Sequence, residues 1–166
     1  ESAILSTNPP STGFGYKFTF NGLLTSIKGL LLSAELITVI ISSPLESFKT
    51  LSVTSRGVGI YPLIRIPSLQ YHFISRSLDL GAYGVMVPMV KNKNEANSIV
   101  SFSKYPPNGI RGAGFGFVHD NYVSTEPIDV MKQSNENLIN IIQIETKEGL
   151  DNIDEIAKLD GVDCLW

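Results

Sequence analysis

Tyr61-Pro62-Leu63-Ile64-Arg65-Ile66 and, one helix later, Gly84-Val85-Met86-Val87-Pro88-Met89-Val90 decide the fold of this chain. Each is a short apolar run of strand length, and the second is apolar at every position. That is the pattern of a strand covered on both faces. Between them Ser68 is placed to cap a helix running to Leu80, with Ile74 and Leu78 one turn apart and Gly81 as its stop. Pro67 closes the first strand, and Pro88 predicts a bulge or an end in the second. Strand, helix and strand in this order form one parallel unit with a crossover between its strands.

The same alternation extends in both directions. Toward the N-terminus, Ile37-Thr38-Val39-Ile40-Ile41 is β-branched throughout and reads as a buried strand ended by Ser42-Ser43-Pro44. A helix follows from Glu46 to Ser55, and Leu30 to Leu36 forms a short helix before the strand. Residues 1–22 are rich in Ser, Thr, Gly, Pro and aromatics without a surviving period, so they are expected to be loosely ordered. The barrel-like domain then covers 23–166. Toward the C-terminus, Asn92 or Asn94 caps a helix whose apolar side is Ala96, Ile99 and Val100. Tyr105-Pro106-Pro107-Asn108-Gly109 and the glycine-rich Ile110–Gly116 are loops. A helix over Glu126–Gln133 leads to the strand Asn140-Ile141-Ile142-Gln143-Ile144. Thr146 opens a helix with the stripe Leu150, Ile153, Ile156, Ala157, and Gly161–Trp166 is one more strand.

About five parallel strands alternate with helices. A doubly wound sheet and an incomplete (β/α)8 TIM barrel both have this rhythm. Gly112-Ala113-Gly114 follows a helix and a Pro-rich loop, not a strand, so it is no nucleotide fingerprint. The α/β class is therefore read as an incomplete barrel. The 166 residues, 43% hydrophobic and 17% charged, suffice for one packed core. A net charge of −3 gives no reason to expect nucleic acid or an anionic membrane as a partner. The most apolar window, Gly22–Ser42, is interrupted by Lys28 and Glu35 and falls short of the ~20 apolar residues a span needs. A single cysteine, Cys164, excludes an internal disulfide and fits a reducing, cytoplasmic setting.

The chemistry concentrates at Gln143 and Glu145. Residues two apart on a strand point the same way, so both side chains share one face. A carboxylate where a buried strand hands over to a helix is where α/β enzymes keep metal and substrate ligands. The competing reading is a surface glutamate at a strand exit. Arg65 carries the only charge in its strand and either serves a site or pairs with Asp79 structurally. Arg111 reads as a loop-ordering residue, His72 and His119 as solvated histidines, and Cys164 and Trp166 as core residues of the last strand.

Four blocks in register resemble the HpcH/HpaI aldolase/citrate lyase family, the 4-hydroxy-2-oxoheptanedioate aldolases. They are Pro62–Pro67, Leu78–Val90, Tyr105–Gly114 and Gln143–Glu148. Together they span about two thirds of the chain, with the likeness clear from 57 to 166. The resemblance implies a (β/α)8 barrel of the phosphoenolpyruvate/pyruvate-binding type with its site at the carboxyl ends of the strands. It implies a class II lyase that cleaves 4-hydroxy-2-oxo acids to pyruvate and an aldehyde through a metal-bound enolate. The cofactor implied is Mg²⁺, Mn²⁺ or Co²⁺, with Glu145 as metal ligand. Gln143 lies beside the pyruvyl group, Arg65 grips the keto-acid, and Asp79 supports the network. Complete members are implied to be homo-oligomers. The chemistry is coherent, since an enolate needs a Lewis acid and a fixed cation, and arginine stays charged and grips carboxylates with two hydrogen bonds.

Two departures stand beside the matches. The family carries an acidic residue and a histidine after an early strand, where this chain has Ile37–Leu45 with Ser42 in the place of the base histidine. Serine cannot take a proton near neutral pH. The family's second metal carboxylate lies in a loop beyond the strand matching Val162–Trp166. A hard divalent cation wants several oxygens, so the isolated 166 residues are expected to show no turnover. The alternative to an enzyme is a catalytically inactive homologue with weak metal or pyruvate binding or an assembly role.

Overall fold

A computed structural model of the chain describes residues 36–40, 45–123 and 126–166. The elements run β1 (Leu36–Ile40), α1 (Leu45–Gly57), β2 (Tyr61–Arg65), α2 (Tyr71–Asp79), β3 (Gly84–Val87), α3 (Lys93–Ser103), α4 (Pro127–Asn137), β4 (Ile139–Ile142), α5 (Lys147–Asp151), α6 (Ile153–Ala157) and β5 (Cys164–Leu165). All neighbouring strands are parallel and lie in the order β1-β2-β3-β4-β5. A doubly wound sheet reverses direction part-way and places helices on both faces. This sheet never reverses.

The side chains report the same asymmetry. Ile64 and Ile66 of the β2 region, Val85 and Val87 of β3, and Ile142 of β4 form one buried cluster with helical residues: Phe48 of α1, Ile74 and Leu78 of α2, Ala96 and Ile99 of α3, and Ile156 of α6. The opposite face carries a smaller cluster of Leu63, Met86 and Ile141, with Ile139 and Cys164 packed against it. Period-two alternation along β2, β3 and β4 sends every second residue to each face. The helices thus cover one face and leave the other as the inner wall of a barrel segment.

Asn92 caps α3, its Oδ1 accepting from Glu95 N–H at 3.0 Å, and Pro88 follows the last residue of β3. The expected cap at Ser68 does not form; α2 starts at Tyr71 after Gln70, without a side-chain cap. The helix after Thr146 breaks at Asn152, whose Nδ2 donates to the carbonyls of Glu148 (2.9 Å) and Lys91 (3.0 Å). The break rotates the stripe, so Ile156 is buried while Leu150 and Ala157 are exposed. Trp166 is also exposed, not a core residue. The expected loose segment 1–22, the Leu30–Leu36 helix apart from Leu36 in β1, and Ser42 lie outside the described residues. No described helix is long and apolar enough to cross a membrane.

Candidate active site at the carboxyl ends of the strands

Arg65 is the last residue of β2 and Gln143 follows the last residue of β4, so both sit where their strands leave the sheet. Between them runs β3, with Met86 in register beside Arg65. Arg65 reaches across it, and its Nε donates to Gln143 Oε1 at 2.8 Å. Gln143 is buried, and its backbone continues the ladder by donating to Val87 O at 2.9 Å. The side-chain bond therefore orients the amide as well as the guanidinium.

Glu145 lies two residues on, exposed at the rim. Its Oε2 accepts the backbone N–H of Met89 at 3.0 Å. Met89 has φ 60°, in the left-handed region that a non-glycine side chain enters only at a cost. Val90 N–H then donates to Gln143 O at 3.3 Å. The β3 exit is thus stitched to the β4 exit at both Gln143 and Glu145. Met89 carried no signal in the sequence beyond Pro88 before it, because a backbone donor leaves no trace in residue type. Just below, Thr146 Oγ1 caps α5 by accepting Gly149 N–H at 3.0 Å.

Asp79 does not join this group. It ends α2, on the side of the sheet where the strands begin, and its Oδ1 accepts Arg111 Nη2 at 2.7 Å. The structural pairing considered for Arg65 with Asp79 is therefore made by Arg111 instead. Arg111 is only 3% exposed and lies over the Tyr105 ring at 4.4 Å, which makes it a buried tie between α2 and the loop after α3. His119 is not a solvated histidine either: both ring nitrogens are buried without a hydrogen-bond partner. Burial, and then the Arg111 charge, hold its pKa below the ordinary value. Burial likewise raises the Tyr105 hydroxyl and pushes the Cys164 thiol up to about 11.

The described residues contain no group of three His, Cys, Asp or Glu side chains able to hold a metal. Glu145 supplies one carboxylate, and Gln143 Oε1 is already engaged by Arg65. A hard divalent cation takes six or more oxygens, so the described residues do not by themselves fit one.

A segment of parallel barrel with an arginine, an amide and a carboxylate gathered at the strand exits is the layout of a (β/α)8-barrel enzyme. The family model for HpcH/HpaI aldolase/citrate lyase matches residues 50–166, and the chain belongs to that family of aldolases and lyases. Similar curated proteins include a 5-keto-4-deoxy-D-glucarate aldolase of Enterobacter sp. (strain 638), 42% identical over 111 residues, 67% of this chain and 43% of that protein. One of the same name from Shigella boydii is 38% identical over 111 residues, 67% of this chain and 42% of that protein. The chain spans less than half the length of these relatives. Among solved structures, an HpcH/HpaI aldolase from Desulfitobacterium hafniense matches with TM-score 0.73 and 26% identity, over 84% of this chain and 53% of that one. The citrate synthase SbnG matches with TM-score 0.66 and 30% identity, over 78% and 49%.

Proposed function

We propose that this chain carries part of an aldolase site that cleaves 4-hydroxy-2-oxo acids to pyruvate and an aldehyde. The carrying observation is the Arg65 Nε–Gln143 Oε1 bond of 2.8 Å at the carboxyl ends of β2 and β4. It fixes a permanently charged guanidinium beside an oriented amide, and among the described residues the other Arg65 nitrogens are left for a ligand. A 2-oxo acid presents a carboxylate, already charged, beside an oxo oxygen that takes up the electron pair of the breaking carbon–carbon bond as an enolate. A cation held in place before the reaction stabilises that charge without reorganising. Gln143 has its amide nitrogen left to donate toward the same oxygens.

Glu145, held by Met89 N–H, would be one carboxylate ligand of a divalent cation (Mg²⁺, Mn²⁺ or Co²⁺), which would supply Lewis-acid stabilisation of an enolate when bound, its other ligands coming from outside the described residues. Asp79 is proposed only as a support, through Arg111. A cytoplasmic homo-oligomer acting on small molecules accords with this reading.

A second reading, a homologue that binds without turning over, is favoured by the single carboxylate, Glu145, that the described residues bring to the strand exits. Two measurements separate the readings. Pyruvate titrated into the chain and followed by backbone amide shifts is expected to perturb Arg65 and Gln143. Arg65→Ala is expected to weaken binding at least tenfold; equal binding by that variant would remove the proposal. Pyruvate release from a 4-hydroxy-2-oxo acid with Mn²⁺, abolished by chelator and by Glu145→Ala, establishes catalysis by these residues. Binding without release supports the second reading for these 166 residues.

A further inference from the structure

The opposite end of the sheet, where the strands begin, contains a cavity of about 440 Å³. Its walls include Tyr61 at the start of β2, Tyr83 just before β3, Arg56 at the end of α1, and Arg111 and His119 from the loop that follows α3. Cavities of this size accept small metabolites. None of its lining residues belongs to the group at the strand exits.

Arg56 brings to this cavity a positive charge that is met directly only by neutral groups. Arg56 donates to Val118 O at 2.6 Å, to His119 O at 3.4 Å and to Asn121 Oδ1 at 2.5 Å, all of them uncharged acceptors. Its guanidinium also lies 5.1 Å from the centre of the Tyr83 ring. Among the described residues Arg56 has no carboxylate partner. Arg111 has one, Asp79, on its Nη2. The lining carboxylate, Asp120, accepts Gly116 N–H at 2.5 Å and Tyr122 N–H at 3.2 Å from its own loop and makes no salt bridge to Arg56. His119 is held neutral by burial and by Arg111. The Nε atoms of both Arg56 and Arg111 are buried without a hydrogen-bond partner and out of reach of the cavity, so an anion there would meet the Nη atoms.

Arg111 is neutralised by Asp79, whereas Arg56, stacked on the Tyr83 ring, meets no carboxylate directly among the described residues, so its charge is the one in the concavity open to an anion. A planar guanidinium is suited to oxyanions, which it meets with two parallel hydrogen bonds.

We propose that this cavity is a second binding site, for a small anion bearing a carboxylate or phosphate head, with Arg56 as its principal cation. It lies at the end of the barrel segment opposite Arg65, so it binds independently of the proposed reaction site.

The test is a titration of the full chain with inorganic phosphate and, separately, with succinate, followed by backbone amide shifts. The two probes distinguish a phosphate from a carboxylate ligand. At least one is expected to perturb residues 56, 83 and 119–121. Arg56→Gln is expected to weaken that binding tenfold or more, with Arg56→Lys in between, because lysine keeps the charge but loses the fork. Gln133, an exposed residue on the cavity wall, offers a variant that leaves the Arg56 contacts in place. Gln133→Trp is expected to block binding while the chain stays folded by circular dichroism. Arg65→Ala is expected to leave it unchanged. The proposal is overturned if neither probe shifts these residues at 10-millimolar order, if Gln133→Trp and Arg56→Gln both bind like the parent, or if Arg65→Ala alone abolishes binding.

Discussion

At the scale of single residues, the burial of each partner sets what a contact is worth. Arg65 is half-exposed and Gln143 buried, so the two ends of their bond are not equivalent. Removing Arg65 strands a buried amide oxygen, whereas removing Gln143 leaves a guanidinium that water can reach. Arg65→Ala is therefore expected to cost about 1–3 kcal/mol and Gln143→Leu less than about 1 kcal/mol, measured as urea midpoints at unchanged m. The reverse ranking would contradict the assigned burial. His119 gives a pH signature. Its folded pKa lies below the ordinary 6.5, so between the two values the unfolded chain binds the extra proton. Stability is then full above about 6.5 and falls as pH drops toward the folded value. His119→Gln should flatten the stability profile below pH 6.5; an unchanged slope would assign it to other groups. Tyr105 works at the other end, since a raised folded pKa makes stability fall as pH rises past the ordinary 10.0. The Cys164 thiol, pushed up to about 11, should react with iodoacetamide at pH 8 at least tenfold more slowly in the folded chain than in urea.

At the scale of elements, the strand exits hold one another. Gly149 lies in α5 so close to the β3 exit that an added Cβ would meet Val90 O at 2.5 Å. Gly149→Ala must push that backbone away, and the Val90–Gln143 and Met89–Glu145 bonds lie in its path. Loss of roughly 2 kcal/mol or more is expected, together with amide shift changes at Met89 and Gln143. Asn92→Ala, which deletes a single capping bond, should cost only about 1 kcal/mol and leave those shifts alone. Much of this level was readable in advance. A cap at Asn92 or Asn94, a bulge or strand end at Pro88 and the buried faces of β3 and α3 follow from local rules, and the structure selects Asn92 and a strand end. Ser68 did not cap because the chain runs three residues further before turning into α2. The stripe after Thr146 broke because Asn152 found carbonyl acceptors, including Lys91 O on another element, which no local pattern reveals.

At the scale of the whole molecule, the sequential strand order and one-sided helices leave an inner wall whose cluster is small beside the outer one. Hydrogen exchange is expected to be slowest in β3, β4 and the Gln143 amide, and much faster in the five-residue helices α5 and α6. Uniform protection would mean that the layers do not differ in stability. The sequence by itself determined the alternation of elements, the parallel sheet and the residues Arg65, Gln143 and Glu145 at strand exits, because period and breaker residues are local properties. The tertiary structure alone decided that Arg65 grips Gln143, that Met89 N–H holds Glu145, and that Asp79 stands with Arg111 at the far end. The same holds for the Arg56 cavity. These pairings join residues 32 to 78 positions apart, and only packing determines which distant side chains meet.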